Sequence, residues 1–312
     1  MIGSNLAKSL LHLGADVIAM GRSESKMHDV FVNELHDDKF SYVIGNIANG
    51  IPDEIGKADY LFHAASPISG EEIKERPLDT ISANLDGLIH CLEYLRRRQG
   101  GRMIVFSSAT VYGNAVKEDM QVSEDDTDQA ECLHKDNAAY SESKRMTEVI
   151  ARAYKKQYQV DAVIARMGYV YGYTRYMPNT AFYEFIGKVL RGEDIILNHA
   201  GMARRDNIHV DDVVNGLLLL AMHGKSGEAY NLSSDGELDN FCAIDEIAEK
   251  ISKVAAVVEG TEAVQVHIPA DGKERLPGVR LKNEKIKGLG WKMTMGMEKG
   301  IADIFYRVKA VH

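Results

Sequence analysis

The sequence predicts an α/β protein built on a parallel sheet with helices on both faces. Strand-like and helical segments alternate over the first half of the chain, most of these strands are apolar without interruption, and polar strings follow at their carboxyl ends. Uninterrupted apolar strands are typical of parallel sheets that are covered on both faces. Ligands bind such sheets at the carboxyl ends of the strands.

The elements of the first half follow from hydrophobic periodicity and from residues that end helices. Helical spacing over residues 5–13 ends at Gly14 and leads into a short apolar strand at 15–20. Alternation continues with strands at 40–44, 60–62, 102–106 and 162–166 and with long helices at 79–98 and 138–158. This order predicts a doubly wound, Rossmann-like sheet.

Beyond Gly172 the alternation becomes irregular, which predicts a smaller, discontinuous α/β domain. The predicted elements there are helices at 180–191, 210–223, 244–254 and 297–308 and extended segments at 195–197, 229–232 and 264–268. We predict a dinucleotide-binding domain of residues 1–166 and 207–233, and a substrate-binding domain of residues 167–206 and 234–312. The acidic stretch at 118–128 is predicted to be a solvated loop.

Composition and charge narrow the classes of function. The chain has 312 residues, of which 45% are hydrophobic, and a net charge of −9, which argues against a dedicated nucleic-acid binder. The apolar stretch at 6–13 is short and is interrupted by Lys8 and Ser9, so export is not expected. No run reaches the ~18 apolar residues of a membrane span, so insertion is not expected either. Three widely separated cysteines predict a reducing, cytoplasmic location without a disulfide framework. No spacing of Cys or His indicates a metal site.

Two strings carry the chemistry: SSATVYG at 107–113 and YSESK at 140–144. Ser108 supplies a hydroxyl, Tyr140 a phenol and Lys144 an ammonium group. Tyr140 and Lys144 are four residues apart on a helix, so they share a face, and a nearby cation lowers the pKa of a phenol. Ser108 would hydrogen-bond the same substrate oxygen. Such a set moves a proton on and off a carbinol while a nicotinamide takes or returns a hydride.

With these strings the chain resembles the extended short-chain dehydrogenase/reductase family, in its sugar-nucleotide epimerase/dehydratase branch, over essentially its whole length. The resemblance implies an enzyme in which Ser108, Tyr140 and Lys144 are catalytic and Lys144 also holds the nicotinamide ribose. It further implies a nucleotide-diphosphate sugar as the substrate, NAD or NADP as the cofactor, and a homodimer formed through helices 79–98 and 138–158.

The resemblance also implies a set of cofactor-binding residues. They are Ile2, Gly3, Arg22, Asn46, Ile47, His63, Ala64, Ala65 and Asn84, together with Tyr140 and Lys144. Arg22 stands where NAD-specific members carry an acid, so NAD and NADP both stay open. Asn46 stands where the family has an Asp near the adenine. Asn84 matches a family asparagine, with a structural role in the helix as the alternative.

Ile2 and Gly3 look like the tail of the family's Gly-x-x-Gly-x-x-Gly loop, in which the pyrophosphate rests on a helix N-terminus. The first strand and the first two glycines of that pattern are not in this sequence. Two explanations stay open. Either the start is misassigned or trimmed, or the protein lacks part of its cofactor cradle and binds dinucleotide weakly.

Four residues are expected to bind the substrate: Thr110, Tyr169, Arg205 and Arg275. The string RRDNIHVDD at 204–212 resembles a family segment whose arginine grips the nucleotide diphosphate, which maps to Arg205. Arg275 lies where relatives place a second such arginine, with Arg280 as a competitor. Tyr169 replaces an asparagine that usually contacts the substrate, and His209 is expected to be a packed structural residue.

The residues that follow Ser108 bear on the reaction. Sugar dehydratases of the family carry Asp-Glu there and the decarboxylases carry a nearby Glu, but this chain has Ala109-Thr110. Alanine cannot transfer a proton and threonine is a poor acid or base at neutral pH, which disfavours both reactions. The sequence favours a nucleotide-sugar 4-epimerase. An NAD(P)H-dependent 4-keto-sugar reductase and a non-catalytic nucleotide-binding relative are the alternatives.

Overall fold

The computed structural model describes residues 1–66, 70–113, 119–128, 133–197, 204–269 and 277–310. The chain forms two compact units. Unit 1 comprises Met1–Gly113, Thr127–Met167 and Val214–Tyr230, and unit 2 comprises Asn114–Asp126, Gly168–Val213 and Asn231–His312. The assignment of dinucleotide and substrate binding to separate domains stays a prediction.

Helices and strands alternate along most of the described chain. The helices are α1 (Ile2–His12), α2 (Glu24–Val30), α3 (Gly70–Glu75), α4 (Pro77–Arg98), α5 (Ala138–Tyr158), α6 (Ala181–Leu190), α7 (Val210–His223), α8 (Ile244–Glu259), α9 (Glu284–Lys287) and α10 (Met297–Lys309). The strands are β1 (Val17–Gly21), β2 (Phe40–Ile44), β3 (Tyr60–His63), β4 (Arg102–Ser108), β5 (Met120–Val122), β6 (Asp161–Met167), β7 (Tyr169–Tyr171), β8 (Ile195–Ile196), β9 (Arg204–His209), β10 (Ala229–Leu232), β11 (Phe241–Ala243), β12 (Val266–His267) and β13 (Val279–Leu281). Within these ranges, no helix is long and apolar enough to cross a membrane.

Unit 1 contains parallel β-sheet covered by helices, which confirms the predicted fold class. A four-stranded sheet has the order β10-β6-β4-β3, and β4 pairs in parallel with both β3 and β6. β1 and β2 form a separate parallel pair. Among the described residues β1 and β3 do not pair with each other, so the sheet of unit 1 is in two parts.

Two hydrophobic clusters in unit 1 correspond to these two parts. One packs around β1 and β2 and includes Leu11 and Phe40, and the other packs around β3, β4 and β6 and includes Leu92 and Ile164. The middle of β4 is fully buried, whereas Ile18 of β1 and Tyr60 of β3 are each 50% exposed. β1 and β3 each pair along one edge only, and apolar side chains on them are open to solvent where those of the central strand β4 are not.

Unit 2 is built on a three-stranded sheet of order β11-β9-β7, with two short parallel pairs, β12–β8 and β13–β5. Its core lies between α6, α8 and α10 and includes Ile186, Ile251 and Phe305. The stretch at 118–128 differs from the predicted loop because β5 lies in it. Val122 is buried and the strand pairs with β13, a partner about 160 residues away that local sequence does not reveal.

Helix ends show which local signals were missed. α5 and α7 have the predicted bounds, whereas α8 continues past the predicted end at 254 to Glu259. It ends at Gly260, whose φ of 68° is a left-handed C-cap that glycine adopts at little cost. The short helix α2 was not predicted, although the Ser23 hydroxyl caps it by accepting from the Lys26 amide.

Candidate active site

Ser108 lies at the carboxyl end of β4 in unit 1. Its backbone is extended, and the single turn Ala109–Tyr112 begins directly after it. The Ser108 hydroxyl is half-buried and accepts a hydrogen bond from the Thr110 amide at 3.3 Å. The Thr110 hydroxyl is buried and has no hydrogen-bond partner in the described part of the chain. Both hydroxyls therefore sit where an α/β sheet presents ligands.

Tyr140 and Lys144 project from the first turns of α5. Lys144 is 3% exposed, and its Nζ donates to the Phe106 carbonyl at 2.9 Å, two residues before Ser108. The same Nζ lies 5.6 Å from the centre of the Tyr140 ring. Burial lowers the pKa of Lys144 to about 7. The structure thus brings the start of α5 to the end of β4. The catalytic roles of Ser108, Tyr140 and Lys144 stay predictions.

Asn84 supports this arrangement from α4. It is fully buried, its amide donates to the Ser143 hydroxyl at 2.8 Å, and that hydroxyl donates to the Tyr140 carbonyl at 2.9 Å. The Asn84 Oδ1 atom has no hydrogen-bond partner among the described residues. The contact ties α4 to the first turn of α5. Cofactor binding by Asn84 stays a prediction.

His63 ends β3 and is buried beneath α4. A Cβ atom on Gly87 would lie 2.8 Å from the imidazole Nε2, so the glycine makes room for the ring. Burial, followed by the charge of Lys144, lowers the pKa of His63 to about 3. The imidazole is therefore neutral at physiological pH, and its Nε2 atom has no hydrogen-bond partner among the described residues. Cofactor contact by residues 63–65 stays a prediction.

The start of α1 is where the sequence predicts the pyrophosphate of a dinucleotide to bind, and binding there stays a prediction. Ile2 and Gly3 form its first turn, and no side-chain hydrogen bond from Met1 caps it. A Cβ on Gly3 would lie 3.0 Å from the Cβ of Ala64, so glycine lets the helix approach the residues after β3. Uncapped helix amides carry partial positive charge that attracts phosphate.

Other predicted cofactor residues lie at the ends of β1 and β2. Arg22 follows β1, is exposed, and makes no hydrogen bond or ion pair with the described residues. Asn46 follows β2, and its side chain accepts from the Ala48 amide at 3.1 Å, which caps the turn that begins at Ile47. Arg22 therefore has a guanidinium available for an anion, whereas the Asn46 carboxamide already serves its own turn.

In unit 2 the predicted substrate residues Arg205 and Tyr169 lie on neighbouring strands, because β9 pairs with β7. The guanidinium carbon of Arg205 is 4.7 Å from the centre of the half-exposed Tyr169 ring. No described residue accepts a hydrogen bond from the Arg205 guanidinium. Arg275 lies outside the described residues. Arg280, the alternative to Arg275, has its guanidinium carbon 5.6 Å from the centre of the Phe241 ring.

A polar cluster in unit 2 was not foreseen as a group. His209, Asp211 and Asp303 place side-chain atoms within 4.8 Å of one another, a spacing that could hold a metal ion. Arg307 donates to Asp211 at 2.9 Å and to Asp303 at 3.0 Å. Its guanidinium already supplies positive charge to both carboxylates. His209 is fully buried, which accords with its expected structural role.

Sequence reasoning also missed Glu148 and the partners of Arg166, which form a buried network beside Ser108. Glu148 is eight residues after Tyr140, so it continues the helix face that carries Tyr140 and Lys144. That spacing was a usable signal. Together, the described groups of unit 1 can bind a carbinol oxygen, move its proton, and hold a phosphate near α1.

Comparisons with known proteins give a family and several relatives. The sequence pattern of the NAD dependent epimerase/dehydratase family matches residues 1–233. UDP-glucuronic acid decarboxylase 6 of Arabidopsis thaliana is 27% identical over 246 residues, which cover 78% of this chain and 68% of that protein. UDP-glucuronic acid decarboxylase 1 of Danio rerio is 26% identical, with 96% of this chain and 68% of that protein covered.

Solved structures share the fold. UDP-glucose 4-epimerase of Thermotoga maritima superposes with a TM-score of 0.79 at 22% identity, covering 100% of this chain and 97% of the other. UDP-glucuronic acid 4-epimerase of Bacillus cereus, solved with NAD, also has a TM-score of 0.79, at 20% identity and with 100% and 96% covered. The family match confirms the resemblance drawn from the motifs.

Proposed function

Because the chain belongs to the NAD-dependent epimerase/dehydratase family, we propose that it is a nucleotide-sugar 4-epimerase that uses NAD or NADP. The observation that carries this proposal is the turn Ala109–Tyr112. It follows Ser108 directly and contains no carboxylate. Removal of water or of carbon dioxide needs an additional acid or base there, as the sequence motifs of the family imply, whereas epimerisation needs only the hydroxyl chemistry of Ser108 and Tyr140.

The proton chemistry follows from the placement of three groups. Tyr140 takes the proton of the sugar C4 hydroxyl, and Ser108 donates a hydrogen bond to the same oxygen as it becomes a carbonyl. Lys144, held by the Phe106 carbonyl, provides positive charge that favours the phenolate. A bound nicotinamide supplies the hydride acceptor and donor for C4. After the ketone has turned over, Tyr140 returns the proton.

The names of the relatives support a nucleotide sugar as substrate, since the decarboxylases and the epimerases are named for UDP-sugars. They do not separate the reactions, because sequence relatives are decarboxylases while several structural neighbours are epimerases. The 4-keto-sugar reductase stays the second candidate, because Ser108, Tyr140 and Lys144 serve it equally well. A non-catalytic nucleotide-binding relative is the third.

The deciding experiment begins with calorimetric titration of the purified chain with NAD and with NADPH. Arg22 is exposed and pairs with none of the described residues, which supports binding of the 2′-phosphate form, and the titration tests that choice directly. The loaded protein is then incubated with UDP-glucose or with UDP-glucuronic acid, and the products are followed by NMR. We expect the C4 epimer to accumulate to equilibrium without net change in the cofactor.

Each alternative has a distinct outcome. Stoichiometric consumption of NADPH with a 4-keto sugar identifies the reductase, and release of carbon dioxide from UDP-glucuronic acid identifies a decarboxylase. A protein that binds dinucleotide but leaves the sugars unchanged contradicts the epimerase proposal. Absence of binding to either cofactor supports the non-catalytic alternative.

Arg205 is proposed to bind the diphosphate, with Tyr169 holding its guanidinium in place. We expect Arg205→Ala to weaken UDP binding by about 10–100-fold, because hydrogen bonds to a charged group are lost. Tyr169→Phe keeps the stacked ring and should leave binding nearly unchanged, whereas Tyr169→Leu should weaken it. Calorimetry with UDP measures all three. The control is Arg191→Ala, whose side chain is exposed and pairs with Glu193; equal losses in Arg205→Ala and the control would contradict the proposal.

A homodimer through α4 and α5 is also proposed. Met146, Val149 and Ala153 are exposed on α5 at helical spacing and form an apolar stripe that a second copy would cover. Light scattering at increasing protein concentration measures the mass, and a monomer throughout would contradict the dimer. The cytoplasmic location inferred from the cysteines stays a prediction.

A further inference from the structure

A buried ionic network lies directly behind Ser108 in unit 1. Arg166, near the end of β6, donates to both carboxylate oxygens of Glu148 at 2.8 Å. Glu148 also accepts from the Ser107 hydroxyl at 2.6 Å. Arg166 donates in turn to the Tyr112 hydroxyl at 2.9 Å. We call these four residues the Glu148–Arg166 network; each is at most 5% exposed.

Stability alone does not account for a network of this kind. Removing two charges from water is costly, and apolar residues of similar volume at such sites often give a protein that is as stable or more stable. Burial by itself would raise the pKa of Glu148, but the hydrogen bonds and charge of Arg166 hold it below its ordinary value. The pair therefore stays ionised at neutral pH.

The connections of the network converge on the residues that hold the reacting groups. Ser107 precedes Ser108, and because side chains alternate along a strand, its hydroxyl points to the opposite face from that of Ser108. Glu148 lies one turn beyond Lys144, which binds the Phe106 carbonyl. Two successive turns of α5 thus hydrogen-bond two successive residues of β4, Phe106 and Ser107. Arg166 connects Glu148 to Tyr112, which ends the turn that follows Ser108.

We propose that Glu148 and Arg166 are positioning residues that lock α5 and the turn Ala109–Tyr112 against the end of β4, so that the Ser108 and Tyr140 hydroxyls are held in one geometry. The inference rests on the proposed catalytic roles of Ser108 and Tyr140. Both positioning residues are buried and act through the groups that they hold. Displacement of a catalytic group by about 1 Å can reduce turnover by about 10²-fold, so a rigid support has a direct consequence for rate.

The test replaces the whole ion pair by apolar groups, in the double variant Glu148→Leu with Arg166→Met. We expect this variant to fold with a melting temperature close to that of the wild type, because no buried charge is left unpaired and the guanidinium of Arg152, which loses Glu148, is half-exposed. Its kcat should fall by about 10²-fold with little change in KM. Hydrogen–deuterium exchange of residues 107–113 should accelerate by about tenfold, since hydrogen bonds to charged groups are lost.

Tyr112→Phe provides a milder variant that keeps the ring and removes the hydroxyl bound by Arg166. It should accelerate hydrogen–deuterium exchange in residues 107–113 and lower kcat, each by a smaller factor than the double variant does. The control is Arg152→Ala, which removes a half-exposed side chain that also contacts Glu148 but leaves the buried bonds intact. Exchange and kcat should be unchanged in the control.

A folded double variant with wild-type exchange and wild-type kcat would overturn the proposal. If the double variant does not fold, Tyr112→Phe decides in its place, and wild-type exchange there would overturn the proposal equally. The exchange measurement needs no substrate. Failure of the epimerase assay in the wild type would therefore count against the proposed function, while the exchange arm still tests the network.

Discussion

Replacing Tyr140 by phenylalanine is expected to lower kcat by about 10²–10⁴-fold, because the hydroxyl that carries the proton is removed while the ring and its contact with Lys144 remain. Dissociation constants for the cofactor and for the nucleotide sugar should change far less than kcat, because one hydrogen bond is lost while the ring stays in place. The measurement is the rate of C4 epimerisation by NMR, together with calorimetric titration of both ligands on the same preparation.

Tyr158→Phe is the matched control for this variant. Tyr158 is on the same helix, is 46% exposed, and accepts a hydrogen bond from the adjacent Gln157. Removal of the Tyr158 hydroxyl should leave kcat unaltered. Turnover by Tyr140→Phe at the wild-type rate would exclude Tyr140 as the proton carrier and would require a different acid or base.

Lys144→Met is expected to remove a pH dependence from the stability of the protein without bound cofactor. The ordinary pKa of lysine is 10.5, and burial lowers that of Lys144 to about 7 in the folded chain. Between these two values the unfolded chain holds a proton that the folded chain has released. The free energy of unfolding of the wild type therefore rises with pH across this window, by at most about 1.4 kcal/mol per pH unit.

The measurement is the free energy of unfolding from urea titrations at several pH values between 6 and 10. Relative to Lys144→Met, the wild type should gain several kcal/mol over that range, since titrating groups that do not interact with the Lys144 charge contribute equally to both proteins. Lys253→Met is the control, because Lys253 is exposed and pairs with Glu249 on its own helix. Parallel curves for the wild type and Lys144→Met would show that Lys144 is not buried as the structure has it.

The site residues that could be predicted from the sequence are those that lie in short continuous motifs. Ser108, Tyr140 and Lys144 lie in two short motifs, and the four-residue spacing on α5 already implies a shared face. The hydrogen bond from Lys144 to the Phe106 carbonyl could not be read in this way, because it joins residues 38 positions apart. The same holds for Asn84 and Ser143, which are 59 positions apart.

Local patterns were sufficient for the fold class, for the family and for the bounds of α5 and α7, because periodicity and motif spacing act over a few turns of chain. Contacts between distant segments could be seen only in the tertiary structure. The pairing of β5 with β13, the separation of the unit 1 sheet into two parts, and the burial of Lys144 and of the Glu148–Arg166 pair all depend on distant segments meeting. The pKa of a charged side chain depends on its partners and on its burial. Neither can be predicted before the fold is known.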